Sequence, residues 1–195
     1  MTRVILVRHG SHDRLNRILC GRMPGVSLGA QGRDEADRLA EALRGRGAGA
    51  LLSSPRARTR ETAAPIAAAL ELAVSEEPGL DEIDFGDWTG RALPDLAGDP
   101  AWQAWNTHRA DHRPPGGESM GEAQARALAA LLARPEECLI AVSHGDVIRA
   151  VLLGILGLSV SAYDRLVVEP ASISVVEFWP GGGRVCNVNG TAHLR

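Results

Sequence analysis

The chain contains no lysine: all 21 of its lysine-plus-arginine positions are arginine. That absence excludes a P-loop lysine, a Schiff-base lysine and a serine–lysine dyad within this sequence. Cysteine is scarce. Cys20, Cys138 and Cys186 are odd in number and widely spaced, so they make neither a zinc motif nor a disulfide framework. They are expected as inert, reduced thiols. No charge sign dominates, and a net charge of −3 gives no reason to expect a nucleic-acid partner. Long apolar runs are missing too. Val147–Leu158 is interrupted by Arg149 and is too short to span a bilayer, so no membrane partner is expected. Val4–Val7 runs straight into Arg8 without a signal-peptide core or cleavage site, which makes a cytoplasmic location the expectation.

What is present reads as one α/β domain over residues 1–195. Arg3–Val7 is an apolar, β-favouring run and predicts the first strand. An irregular segment follows through Ser27. Ala36, Leu39, Ala40 and Leu43 recur at helical spacing, and Gly45 and Gly47 end that helix. Ala50–Ser53 is a short strand. Ser54-Pro55 then reads as a helix start, with Ser54 as N-cap, and the helix extends to about Leu70 with Pro65 as a candidate kink. Ala73–Glu76 is a third strand. Residues 80–117 hold Trp88, Trp102 and Trp105 and predict a small helical, lid-like excursion, with Trp88 as a packing anchor. Ser119 and Glu122 form a capping box for a helix to about Ala133. Cys138–Ser143 is the clearest buried strand, and Ile173–Trp179 and Arg184–Val188 flank Pro180–Gly183 as a hairpin. The expected fold is a three-layer, mainly parallel sheet with helices on both faces and an antiparallel hairpin at its C-terminal edge.

Four of these segments share a layout in which polar side chains follow a strand. Strand one delivers Arg8 and His9. The Ser53-Ser54-Pro55 turn leads to Arg58, the loop after strand three carries Glu82, and the strand ending at Ser143 delivers His144. In a parallel sheet these carboxyl ends share one rim, where ligands collect. Arginine suits bidentate contact with phosphate, neutral imidazole can attack phosphorus, and a carboxyl group can protonate a leaving oxygen.

At these residues the sequence resembles the histidine phosphatase superfamily, the phosphoglycerate-mutase-like fold. Val7-Arg8-His9-Gly10 matches its Arg-His-Gly signature, and Ser53–Ala63 is similar to its second motif. Leu80–Gly90 resembles the glutamate motif of the phosphatase-like members. Pro114–Ser119 and Val142–Gly145 are similar to two further segments, in the family's order. The resemblance implies that His9 carries the phosphoryl group and that Arg8, Arg58 and His144 hold its oxygens. Glu82 would act as acid and then base. It implies no cofactor and no metal, because arginines supply the positive charge, and a small phosphorylated metabolite as partner.

Some positions depart from the pattern. Ser11-His12 stands where many members have Glu-Thr, and Asn16 sits one place late, beside Leu15. Arg22, Asn16 and Ser11 are the candidate substrate contacts, while His12 is expected at the surface. His108 and His112 are one helical turn apart, but no third ligand is evident, so a solvated helix face is expected. Hydrolysis is the expected reaction. The alternatives are a phosphoglycerate-mutase-type phosphotransferase and a non-catalytic phospho-ligand-binding domain. The family's mutases usually carry a tail that closes the site, whereas this chain ends soon after its last strand, which favours the hydrolase. A homodimer through the terminal hairpin is left open.

Overall fold

The computed structural model describes residues 1–195. Its strands are β1 (Thr2–Arg8), β2 (Ala50–Ser53), β3 (Val74–Glu76), β4 (Cys138–Ser143), β5 (Ile173–Trp179) and β6 (Gly182–Gly190). Its α-helices are α1 (Ala30–Leu43), α2 (Ala57–Leu70), α3 (Leu93–Ala97), α4 (Pro100–Thr107), α5 (Met120–Leu132) and α6 (Gly145–Ile155). The strands form one six-stranded sheet in the order β3-β2-β4-β1-β5-β6. β1, β2, β3 and β4 are mutually parallel, and β5 and β6 add an antiparallel hairpin. This is the mixed α/β architecture that the alternation of strands and helices predicts.

Side-chain alternation along the strands builds the layers. Val4, Leu6, Leu139 and Ala141 point to one face, where they pack on Leu131 of α5 and on Ile148, Val151 and Leu152 of α6. Ile5, Val7, Ile140 and Val142 point to the other face, against Leu39 and Leu43 of α1 and Ala63 and Ile66 of α2. Being covered on both faces is why β1 and β4 read as unbroken apolar runs. The 80–117 segment folds as short helices, including α3 and α4. Its Phe85, Trp88 and Trp105 make a third cluster with Met120 and Ala123 of α5 and Ala150 of α6. No helix is long and apolar enough to cross a membrane.

One helix start is corrected. α2 begins at Ala57 with Arg56 in the N-cap position, and Ser54 does not cap it. The Ser54 hydroxyl is bonded instead to His144 and Asp81. A tertiary contact has outcompeted the local cap. Pro65 lies inside α2, which runs on to Leu70.

Candidate active site

The strand order gathers the polar residues. β4 lies between β1 and β2, with Arg8 opposite Ser143 and Ser53 opposite Val142. The three strands therefore end at one level, and the residues that follow each of them meet at one rim. A cavity of about 190 Å³ opens there, with Arg8, His9, Arg58, Glu82 and Gly145 in its wall.

His9 is fixed by main-chain bonds on both sides. Its N–H donates to Ser143 O at 3.0 Å, and its carbonyl accepts from the Ala171 N–H at 3.1 Å. The ring Nδ1–H donates to Gly10 O at 2.8 Å, which leaves the Nε2 lone pair free. Burial, then Arg58 and Arg8, push this imidazole well below its ordinary pKa, so it is neutral at neutral pH. Gly10 is required here: a Cβ would lie 2.5 Å from the Gly32 carbonyl oxygen, where α1 presses on the loop.

His144 is the N-cap residue of α6 and is fully buried. Arg58 Nη2 donates to its Nδ1 at 3.0 Å, which places the ring proton on Nε2. That Nε2–H donates to Ser54 Oγ at 2.8 Å, and the Ser54 hydroxyl donates to Asp81 Oδ1 at 3.3 Å. The chain of bonds fixes the tautomer and the ring plane. Burial and then Arg58 keep His144, too, well below its ordinary pKa.

Glu82 follows Asp81, whose Oδ1 accepts the Glu82 N–H at 2.8 Å. Its carbonyl accepts from Arg22 Nε at 2.8 Å and Arg126 Nη2 at 3.1 Å, so the main chain is clamped. The carboxylate lies 3.7 Å from His144 Nδ1 and 4.0 Å from Arg58 Nη2. Burial first, then the Asp146 charge, push its pKa up to about 7 against the pull of Arg58. It is thus poised to give or take a proton at neutral pH.

The arginines are only partly used by the protein. Arg8 Nη1 donates to Val168 O, and Arg58 Nη2 to Gly21 O as well as to His144. Arg8 Nε, Arg58 Nε and Arg58 Nη1 are buried with no partner. Orphaned buried donors cost roughly 1–3 kcal/mol each, more when charged. Three of them beside one cavity suit a bound oxyanion that accepts from them, and Gly145 and Asp146, at the N-terminus of α6, line the same cavity.

The structure thus brings Arg8, His9, Arg58, Glu82 and His144 together. Asn16 also lines the cavity, in a left-handed backbone conformation at φ 59°. Two expected substrate contacts are not brought to it. The Arg22 guanidinium turns to Glu118 at 2.7 Å and Asp84 at 3.5 Å, and Ser11 bonds Glu35 through both its N–H and its hydroxyl. Both are claimed by carboxylates from elsewhere in the chain. His12 is corrected from a surface position: it is buried, lies with its ring tilted 30° to His9 at 5.4 Å between ring centroids, and lines the cavity. Asp146 and Arg149 also line it, joined at 2.8 Å. Their spacing on one face at the start of a helix was the available signal, because α6 begins at the rim.

The histidine phosphatase superfamily (branch 1) model matches residues 4–191. The "Probable phosphoglycerate mutase GpmB" of Proteus mirabilis is 35% identical, covering 100% of this chain and 95% of that one. The uncharacterized protein Rv0525 of Mycobacterium tuberculosis is 40% identical over 64% of this chain, a match spanning only 62% of its own length. Among solved structures, the mycobacterial glucosyl-3-phosphoglycerate phosphatase Rv2419c complexed with VO3 superimposes with a TM-score of 0.86 at 27% identity, covering 98% of this chain and all of that one (100%). A mutant phosphoserine phosphatase from Entamoeba histolytica, in complex with phosphoserine, gives 0.87 at 28% identity, with 100% of both chains covered. With the family model matched over nearly its whole length and the rim residues assembled around one cavity, this chain belongs to the histidine phosphatase superfamily.

Proposed function

We propose that the protein hydrolyses small phosphomonoesters, without a metal, through a phosphohistidine on His9. One observation carries the reading: a neutral imidazole, its Nδ1 tied to Gly10 O, faces a cavity where Arg8 and Arg58 hold unpartnered buried donors. The donors bind the phosphoryl oxygens, and His9 Nε2 attacks phosphorus. As the N–P bond forms and the ester P–O bond breaks, the Glu82 carboxyl gives its proton to the leaving oxygen. The Glu82 carboxylate then takes a proton from water, whose oxygen attacks phosphorus while the N–P bond breaks. Inorganic phosphate leaves, and Glu82 is again protonated. The guanidinium groups stabilise charge on the equatorial oxygens in both steps.

Two solved relatives named as phosphatases support hydrolysis, while the GpmB relative is named as a mutase. The test is acid quench during turnover of a radiolabelled phosphomonoester. An acid-labile, base-stable adduct is expected, and His9→Ala should abolish it and lower turnover by at least about 10³-fold. An adduct that survives in the variant would place the nucleophile elsewhere. Loss of turnover with chelator would overturn the metal-free route. Transfer to added phosphoglycerate in preference to water would establish the mutase instead.

A further inference from the structure

We propose that the alcohol released from the substrate is uncharged and largely apolar. This rests on the hydrolase reading above and names its substrate class. The phosphoryl end of the cavity is built by β1, α2 and α6, but the rest is built by two loops. Residues 17–19 run antiparallel to residues 90–93, joined by an Ile18–Ala92 bridge. Leu19 N–H donates to Arg91 O at 2.9 Å, Gly90 N–H to Leu19 O at 2.8 Å and Leu93 N–H to Arg17 O at 2.9 Å. This ribbon and the segments beside it turn Leu15, Ile18, Leu19, Phe85 and Leu93 into the cavity. Phe85 is buried, and the four aliphatic side chains are half-buried. They form a hydrocarbon wall, with the Asn16 carboxamide available to a single hydroxyl.

Beyond Arg8 and Arg58 at the phosphoryl end, Arg149 is the one arginine that lines the cavity. Arg22 is held by Glu118 and Asp84. Arg14 is exposed and outside the lining, with Nη1 2.9 Å from Met23 Sδ. Arg149 does line the cavity, but its Nε donates to Leu166 O at 2.8 Å and its Nη1 to Asp146 Oδ1 at 2.8 Å. A carboxylate that reached it would also face the Asp146 carboxylate. An ionised leaving group would lose water against hydrocarbon and find no unpaired cation in the lining beyond the phosphoryl end, whereas an apolar one would cover half-buried leucines.

A matched pair tests this. Phenyl phosphate and para-carboxyphenyl phosphate differ by one carboxylate and not in the bond that breaks; phosphoserine and phosphoglycerate extend the series. Phenyl phosphate should have at least about tenfold the kcat/KM of each carboxylate ester. Leu93→Arg should reduce that ratio about tenfold by giving the wall a free cation. Leu15→Arg, on the facing loop, is the second variant should the first fold poorly. Equal or greater kcat/KM for the carboxylate esters, unchanged by either arginine, would overturn the inference and leave the hydrolase reading standing. Turnover of none of the four esters, with no phosphoenzyme on acid quench, would sink the hydrolase reading itself and this inference with it.

Discussion

At the scale of single residues, the site separates two ionisation problems by environment. His9 is buried and the Glu82 side chain is 13% exposed, both near arginines, yet burial acts on them in opposite senses. Burial removes a proton from the imidazole and retains one on the carboxyl, giving a nucleophile and an acid at the same pH. Because Glu82 must be protonated for the first step, kcat/KM should fall about tenfold per pH unit above about 7. Glu82→Gln should remove that limb and lower the plateau roughly 10²–10⁴-fold, as a pH–rate series would show. Ser54 works indirectly. Ser54→Ala leaves the buried His144 Nε2–H without an acceptor, which should cost about 1–3 kcal/mol in urea unfolding.

At the scale of elements, what decides the site is where α1 and the loops touch the strand ends. Gly32 sits in the first turn of α1, and a Cβ there would overlap the Ser11 carbonyl oxygen. Glycine to alanine inside a helix usually gains about 0.5–1 kcal/mol. Here the obstacle is main chain and cannot rotate away, so the clash wins. Gly32→Ala should destabilise by about 1–3 kcal/mol and reduce kcat by shifting the loop after His9; thermal unfolding beside steady-state kinetics measures both. The same elements mark how far sequence reasoning reaches. β2, β4 and β5 fall where their apolar runs place them, and the Ser119–Glu122 capping box closes as its spacing requires, because these signals are local. Ser54 and Arg22 were misplaced because their partners are distant in the chain. Ser54 and His144 are 90 residues apart, and Arg22 and Glu118 are 96 apart. No local pattern carries such a pairing.

At the scale of the whole molecule, the buried site sets the pH range of stability. The Glu82 carboxyl is raised, so between about 4.5 and 7 the folded protein keeps a proton that the unfolded chain releases. Stability from this group falls as pH rises through that window, by up to about 3 kcal/mol. His9 and His144 act in reverse: held low, they favour the folded state above the ordinary imidazole value, and that stability is lost as pH falls below about 6.5. With His12, which burial and then Arg58 hold down to about 4, these histidines outweigh one carboxyl on the acid side. The unfolding midpoint should therefore peak near pH 6.5 and decline slightly to pH 7. Glu82→Gln should abolish the decline and raise stability on the alkaline side, as urea titrations across pH would show.

The histidine cluster also has a spectroscopic consequence. His9 lies between His12 at 5.4 Å and His144 at 5.3 Å, the second ring edge-on at 62°. The other three of the six histidines, His108, His112 and His193, lie outside this cluster. Aromatic ring currents from two neighbours should displace the carbon-bound imidazole protons of His9 from their usual NMR positions. Phosphorylation of that ring would shift the resonances of all three clustered imidazoles at once, giving an isotope-free readout of the phosphoenzyme from within the site.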